Sequence, residues 1–262
     1  MKIFDIHTHV FPDAIAARTV EMLGEKAKID PVYDGSRAGL IEQMRVAGIK
    51  AALNCPIATR PEQVSSINRW AAENNASPVY SLGSVHPETE DKAGVLAKVL
   101  ESGLPGIKLH PEYQEFDLLD PRMTPVWTLC EREGLMIMLH AGADIAFEAP
   151  YRSDPVRIRQ LMDAYPDLKL VAAHFGSWRM WDAVAEELCG TPVYLDTSFT
   201  LGIIDDAMFV DIIRRHGAER VVFGTDTPWR SQAEDVEHFS RLPLSKDERR
   251  LILWENARGL VG

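Results

Sequence analysis

Cysteine is scarce in this chain, and its three residues, Cys55, Cys130 and Cys189, are far apart with no Cys-x-x-Cys pair. An odd, scattered set excludes a disulfide framework and a thiolate zinc site, and favours a reducing compartment, so a cytoplasmic location is expected. No apolar run approaches the roughly 18 residues of a membrane span, so no membrane partner is expected. The N-terminal MKIFDIHTHVFPD lacks the basic region, apolar core and cleavage site of a signal peptide, and predicts a strand that starts at once. Basic clusters are missing too. With 28 Lys+Arg against 39 Asp+Glu the net charge is -11, and nothing offers the cationic surface that a nucleic-acid partner requires. Low-complexity tracts and internal linkers are also absent, which predicts one domain over 1–262.

What the chain does have is a repeated pattern. Short, β-branched-rich apolar runs stand at 2–9, 50–56, 79–85, 106–111, 135–142, 168–176, 193–199 and 220–229, each followed by a turn and a helical stretch. One strand-plus-helix unit takes about 30 residues. Eight in succession within 262 residues predict an α/β fold, a closed (β/α)8 TIM barrel, rather than an open sheet. Helix ends are marked as well. Pro61 and Glu62 open a helix over 61–75, Asp154-Pro155 opens one over 155–165, and Ser245 with Glu248 forms a capping box for 245–258. The first unit is long, with an extra helical stretch over 14–25, and loops after barrel strands form the active-site mouth.

Histidine carries the functional signal. Of only eight, six (His7, His9, His86, His110, His140 and His174) fall at or just past a predicted strand end. Barrel strand ends converge on the face where barrel enzymes keep their active sites. His7 and His9 are two apart, so alternation turns both toward the barrel interior and predicts that Ile6 and Thr8 face the helices. Two imidazoles on one strand can share a metal with a third ring and a carboxylate from other strands. Asp226, in GTDTPW at the end of strand eight, neighbours strand one once the barrel closes. His86 reads equally well as a turn residue, and Cys55 as a small buried hydrophobe. Trp178, Trp181 and Trp229 read as core or pocket wall. Lys108 shares a face with His110, and reads as a substrate-binding cation ahead of a carbamylated bridge or a buried ion-pair partner.

Taken in order, DIHTHVFP, GIKLHPEYQ, MLHAG, AAHFG, FGTDTPW and WENARGL resemble the amidohydrolase superfamily. More narrowly they resemble the amidohydrolase-2 group, which also holds aminocarboxymuconate-semialdehyde decarboxylase and resorcylate-type decarboxylases. The resemblance implies a metal held by His7, His9, His140 and Asp226, with His174 assisting catalysis or joining the metal shell. A His-rich shell with one carboxylate suits Zn2+, with Mn2+ or Fe2+ as alternatives, and one metal is expected ahead of two.

These residues predict a hydrolase. Metal-activated water supplies hydroxide near neutral pH, Asp226 accepts and returns the proton, and His174 steadies the developing oxyanion. Lys108, His110, Tyr113 and Arg152, on the loops after strands four and five, are positioned for the carboxylate or carbonyl oxygen of a small anionic substrate. The alternative is a metal-dependent non-oxidative decarboxylase or hydratase of a small carboxylic acid. A homo-oligomer is compatible with this reading.

Overall fold

The structure, a computed structural model, describes residues 1–262. Its strands are β1 (Phe4–Thr8), β2 (Ala51–Asn54), β3 (Val79–Ser81), β4 (Gly83–Ser84), β5 (Gly106–Leu109), β6 (Met136–Leu139), β7 (Leu170–Ala172), β8 (Tyr194–Asp196) and β9 (Val221–Val222). All neighbouring pairs are parallel, in the orders β1-β2-β3 and β4 through β9. β3 and β4 are one barrel strand interrupted at Leu82, whose N–H donates to Asn54 O at 2.9 Å. The ring closes because Ile6 N–H donates to Phe223 O at 2.9 Å and His9 N–H to Thr227 O at 2.8 Å. The molecule is therefore the expected single-domain (β/α)8 barrel.

Around it run α1 (Ala16–Ala27), α2 (Arg37–Ala47), α3 (Val64–Glu73), α4 (Lys92–Glu101), α5 (Thr124–Glu133), α6 (Pro155–Ala164), α7 (Trp181–Glu187), α8 (Asp206–His216), α9 (Gln232–Arg241), α10 (Lys246–Arg250) and α11 (Asn256–Val261). The anticipated caps are present. Asp154 accepts from Arg157 N at the start of α6, and Ser245 and Glu248 form the reciprocal box of α10. The helix expected over 245–258 is divided by a π turn at Leu251–Glu255. No helix is long and apolar enough to cross a membrane.

Two apolar layers hold the barrel. Ile107, Leu109, Ile137, Leu139, Leu170 and Leu195 face outward into the large core shared with the helices. Phe4, Ile6, Leu53, Cys55, Leu82, Met136, Met138, Val171 and Val222 fill the interior, joined by Ala257 and Leu260 of α11. This corrects one expectation. Ile6 packs inside the barrel, not against the helices. Pairing of β1 with β2 slips between Asp5 and Thr8, so the strict alternation assumed for this strand fails. The slip lets Ile6 fill the interior while His7 still reaches the groups above it.

Candidate metal centre

The slip in β1 places His7 Nε2, His9 Nε2 and a carboxylate oxygen of Asp226 within 4.8 Å of one another. His9 Nε2 lies 2.9 Å and His7 Nε2 3.5 Å from Asp226 Oδ1. Ligands about 2.0–2.1 Å from a tetrahedral zinc are about 3.3 Å apart, so these separations suit one small divalent ion. Asp226 reaches this position through the loop that closes the barrel, where its N–H donates to His7 O at 2.8 Å.

Proton positions follow from partners that can only accept. The Asp196 carboxylate lies 2.8 Å from His7 Nδ1, so that nitrogen carries the hydrogen and Nε2 presents a lone pair. Ser198 O lies 3.2 Å from His174 Nδ1, which therefore donates. His174 Nε2 then accepts from His140 Nδ1 at 3.0 Å. His140 Nε2 is left as a lone pair, buried and without a hydrogen-bond partner. Lone pairs on His7 and His140 beside carboxylates are what a cation-binding site requires.

Charge is tightly managed here. Burial, with Lys108 nearby, lowers the His7 pKa to about 4, so the ring is neutral. Burial and neighbouring charges also push His110 and His140 well below the ordinary imidazole range. Burial opposes ionisation of Asp226, yet His7 and His9 hold its carboxyl well below the usual carboxylate range. Asp196 is raised by burial but lowered more by His7, by hydrogen bonds and by His174, and settles at about 2. Lys108 is fully enclosed, its pKa depressed by burial, and its Nζ lies 3.1 Å from His7 Nε2.

The other anticipated residues divide into two groups. His140 is not in the His7–His9–Asp226 trio; its ring stacks on His110 with centroids 3.9 Å apart. Tyr113 leans its ring on His110 at 4.7 Å and on Phe147 at 4.9 Å, with Lys26 of α1 above. Arg152 is committed elsewhere, since its guanidinium and its backbone N–H both bind buried Glu112, at 2.8 and 2.6 Å. His86 takes the turn role, its Nδ1 accepting from Glu88 N at 3.2 Å. Cys55 is a buried hydrophobe whose thiol burial pushes up to about 12.

Three residues of the centre escaped the sequence reading. Asp196 binds His7, His174 N and Ser198, and Ser198 Oγ lies 3.0 Å from both His7 Nδ1 and His174 Nδ1. Both sit in VYLDTSF, where an aspartate ending an apolar run was a usable signal, because buried carboxylates need partners. Asp144, beside His110 and His140, lies in a loop with no such mark. The backbone is unusual at the same place, with positive φ at His174 (58°), Phe175 (59°) and Asp226 (67°).

A closed parallel barrel with imidazoles and carboxylates gathered at its strand ends defines the class, a metal-binding α/β-barrel enzyme. The amidohydrolase family model of the second group matches residues 4–262, and the chain belongs to that family. A gamma-resorcylate decarboxylase from Polaromonas sp. (strain JS666 / ATCC BAA-500) is 29% identical over a stretch covering 38% of this chain and 36% of that protein. The match therefore spans about a third of the relative. An uncharacterised TIM-barrel protein from Bordetella bronchiseptica superposes with a TM-score of 0.81 at 21% identity, covering 100% of this chain and 98% of the other. A dihydroxybenzoic acid decarboxylase from Polaromonas sp. JS666, solved with bound manganese and the inhibitor 2-nitroresorcinol, gives 0.73 at 17% identity, covering 99% and 96%.

Proposed function

We propose that this chain, as one catalytic unit over 1–262, is a metal-dependent non-oxidative decarboxylase of a small aromatic carboxylic acid. The observation that carries the proposal is Lys108, a fully enclosed lysine 3.1 Å from His7 Nε2 at the edge of the metal trio. A cationic side chain beside a cation site selects an anion, and a substrate carboxylate is the simplest one. Decarboxylation also accounts for the relatives, the resorcylate enzyme and the manganese-bound dihydroxybenzoate enzyme. The hydrolase reading accounts for the metal trio and for an anion at Lys108 equally well, but it does not account for these relatives.

Mn2+ or Zn2+ held by His7, His9 and Asp226 would polarise a substrate oxygen as a Lewis acid. The chain's own residues supply the rest. Lys108 holds the carboxylate that departs as CO2. Asp226, kept ionised, receives a proton from solvent and delivers it to the ring carbon that loses the carboxyl group. His174, fixed by Ser198 and His140 with its ring 5.5 Å from that of His7, orients the substrate. Tyr113 and Phe147 close the mouth with apolar surface, while Arg152 braces the loop through Glu112.

The test is a panel of hydroxylated benzoic acids with the Mn2+- and Zn2+-loaded protein in D2O. The expected result is CO2 release and one deuterium at the vacated ring carbon, both lost in Asp226→Asn. Turnover of lactones or amides without CO2 release from any acid would sink the proposal in favour of hydrolysis.

A further inference from the structure

One cation at the mouth has no anionic partner. Lys26 lies in the last turn of α1, where the helix carbonyls favour a positive charge, and the residue is exposed. No carboxylate stands within ion-pair distance of it. Instead its Nζ stands 4.7 Å from the centre of the Tyr113 ring, 5.2 Å from that of Phe147 and 3.4 Å from Tyr113 Oη. Tyr113 leads inward, since its ring meets His110, which stacks on His140. Lys26 is thus the outer end of a continuous stack that runs from solvent to His140. We infer that Lys26 is the gate residue of this site: it fastens α1 across Tyr113 and Phe147 until a carboxylate draws it away, so that small aromatic anions enter ahead of uncharged molecules of the same shape.

Three separate segments meet at this ammonium: α1, the loop after β5 through Tyr113, and the loop after β6 through Phe147. The loop after β6 is tied at its base, where Arg152 binds Glu112 and Asp144 Oδ1 accepts from Ala146 N at 2.7 Å. Beyond that, Ile145, Glu148, Ala149 and Pro150 are exposed, so the Phe147 ring is what holds the tip. α1 has no side-chain cap at its N-terminus and buries only Ala16, Val20 and Gly24. Both sides of the fastening are therefore lightly held and can part without disturbing the barrel.

The fastening is weak by its nature. An ammonium on exposed ring faces keeps most of its hydration and gains little, whereas a carboxylate offers it charge-assisted hydrogen bonds. A small aromatic acid arriving at the mouth supplies such a carboxylate. It also brings a ring that can take the place of the ammonium against Tyr113 and Phe147. Lys108, enclosed beside His7, is the next cation inward and receives the carboxylate. An uncharged molecule of the same size has nothing to offer Lys26 and meets a closed mouth. The inference rests on the function proposed above only in taking the substrate to be a small aromatic carboxylate, and it uses no step of the reaction.

The test uses the full chain loaded with Zn2+ and a matched pair of probes, 4-nitrobenzoate and 4-nitrobenzamide, whose binding quenches tryptophan fluorescence and is timed by stopped flow. The wild type should bind the benzoate about tenfold faster at low ionic strength, and the advantage should shrink as salt is added. In Lys26→Met that ratio should fall about fivefold. Lys26→Arg, which keeps a cation over the rings, should restore it. Phe147→Leu frees the tip and leaves the charge, so the benzamide should enter faster while the benzoate does not slow. Hydrogen exchange over 144–150 should quicken in ligand-free Lys26→Met, which a lysine that only attracts anions would not cause. Equal rates for the two probes in the wild type would overturn the inference, as would a Lys26→Met protein that matches the wild type in either the ratio or the exchange. Neither readout depends on turnover, so this inference and the decarboxylase reading fail separately.

Discussion

Asp196→Asn tests how the centre is held together. The carboxylate is fully buried, with one oxygen on His7 Nδ1 at 2.8 Å and the other on His174 N at 3.0 Å and Ser198 N at 2.9 Å. An asparagine keeps the size but has a single acceptor. If its oxygen stays on the backbone N–H groups, its NH2 faces His7 Nδ1. The imidazole must then carry its proton on Nε2, where the lone pair was needed for the ion. Losing such a supporting carboxylate costs about 10–100-fold in metal affinity. Stability changes too. The carboxyl titrates at about 2 in the fold against an ordinary 3.8, which at 1.36 kcal/mol per tenfold corresponds to about 2–3 kcal/mol. Because the folded value is the lower one, this contribution is complete above about pH 4 and is lost as pH falls toward 2. Urea titrations of metal-free wild type and variant should therefore differ by about 2 kcal/mol at pH 7 and at pH 5. The gap should narrow below pH 4, and calorimetric titration with Zn2+ should show the weaker binding. Equal Zn2+ affinity within twofold, together with equal stability at pH 7, would refute the reasoning.

Other consequences are as direct. Burial raises the Asp5 carboxyl to about 7, so its ionisation opposes folding, and stability falls as pH rises through 7. Asp5→Asn should raise the melting temperature relative to wild type at pH 8 and lose that advantage at pH 4, with Gln232, whose Oε1 lacks a partner, turning to meet the new amide. Trp127 is fully buried and its Nε1 donates to Leu118 O at 3.1 Å; Trp127→Ala should cost about 3–5 kcal/mol in chemical denaturation. Gly142 has φ 84°, and a Cβ there would stand 2.3 Å from Trp178 N. Gly142→Ala should destabilise by at least about 2 kcal/mol by the same assay and displace the loop that carries Asp144.

The barrel was readable because each strand is an apolar run with polar residues at its end, and because helix starts such as Asp154-Pro155 and Ser245 with Glu248 carry their own chemistry. The meeting of His7, His9 and Asp226 was readable for a related reason, since closure of eight parallel strands makes the first and last neighbours. The slip in β1 was not. It depends on how Ile6 and His7 share space with Leu53, Met138 and Asp196, and no local residue type announces it. Which way an imidazole points is equally non-local: His140 is aimed by Ser198 through His174, far along the chain. Arg152 appeared free in the sequence because its partner, Glu112, lies forty residues earlier.

The left-handed backbone at His174, Phe175 and Asp226 has a consequence for anyone altering this protein. An L-residue held there costs about 1 kcal/mol or more, and glycine would relieve it. Glycine at 174 and 226 would relieve that strain while removing the two side chains proposed to orient the substrate and to deliver the proton. Durability and turnover oppose each other at single residues here, so a stabilised library screened only by heat should be enriched in inactive barrels.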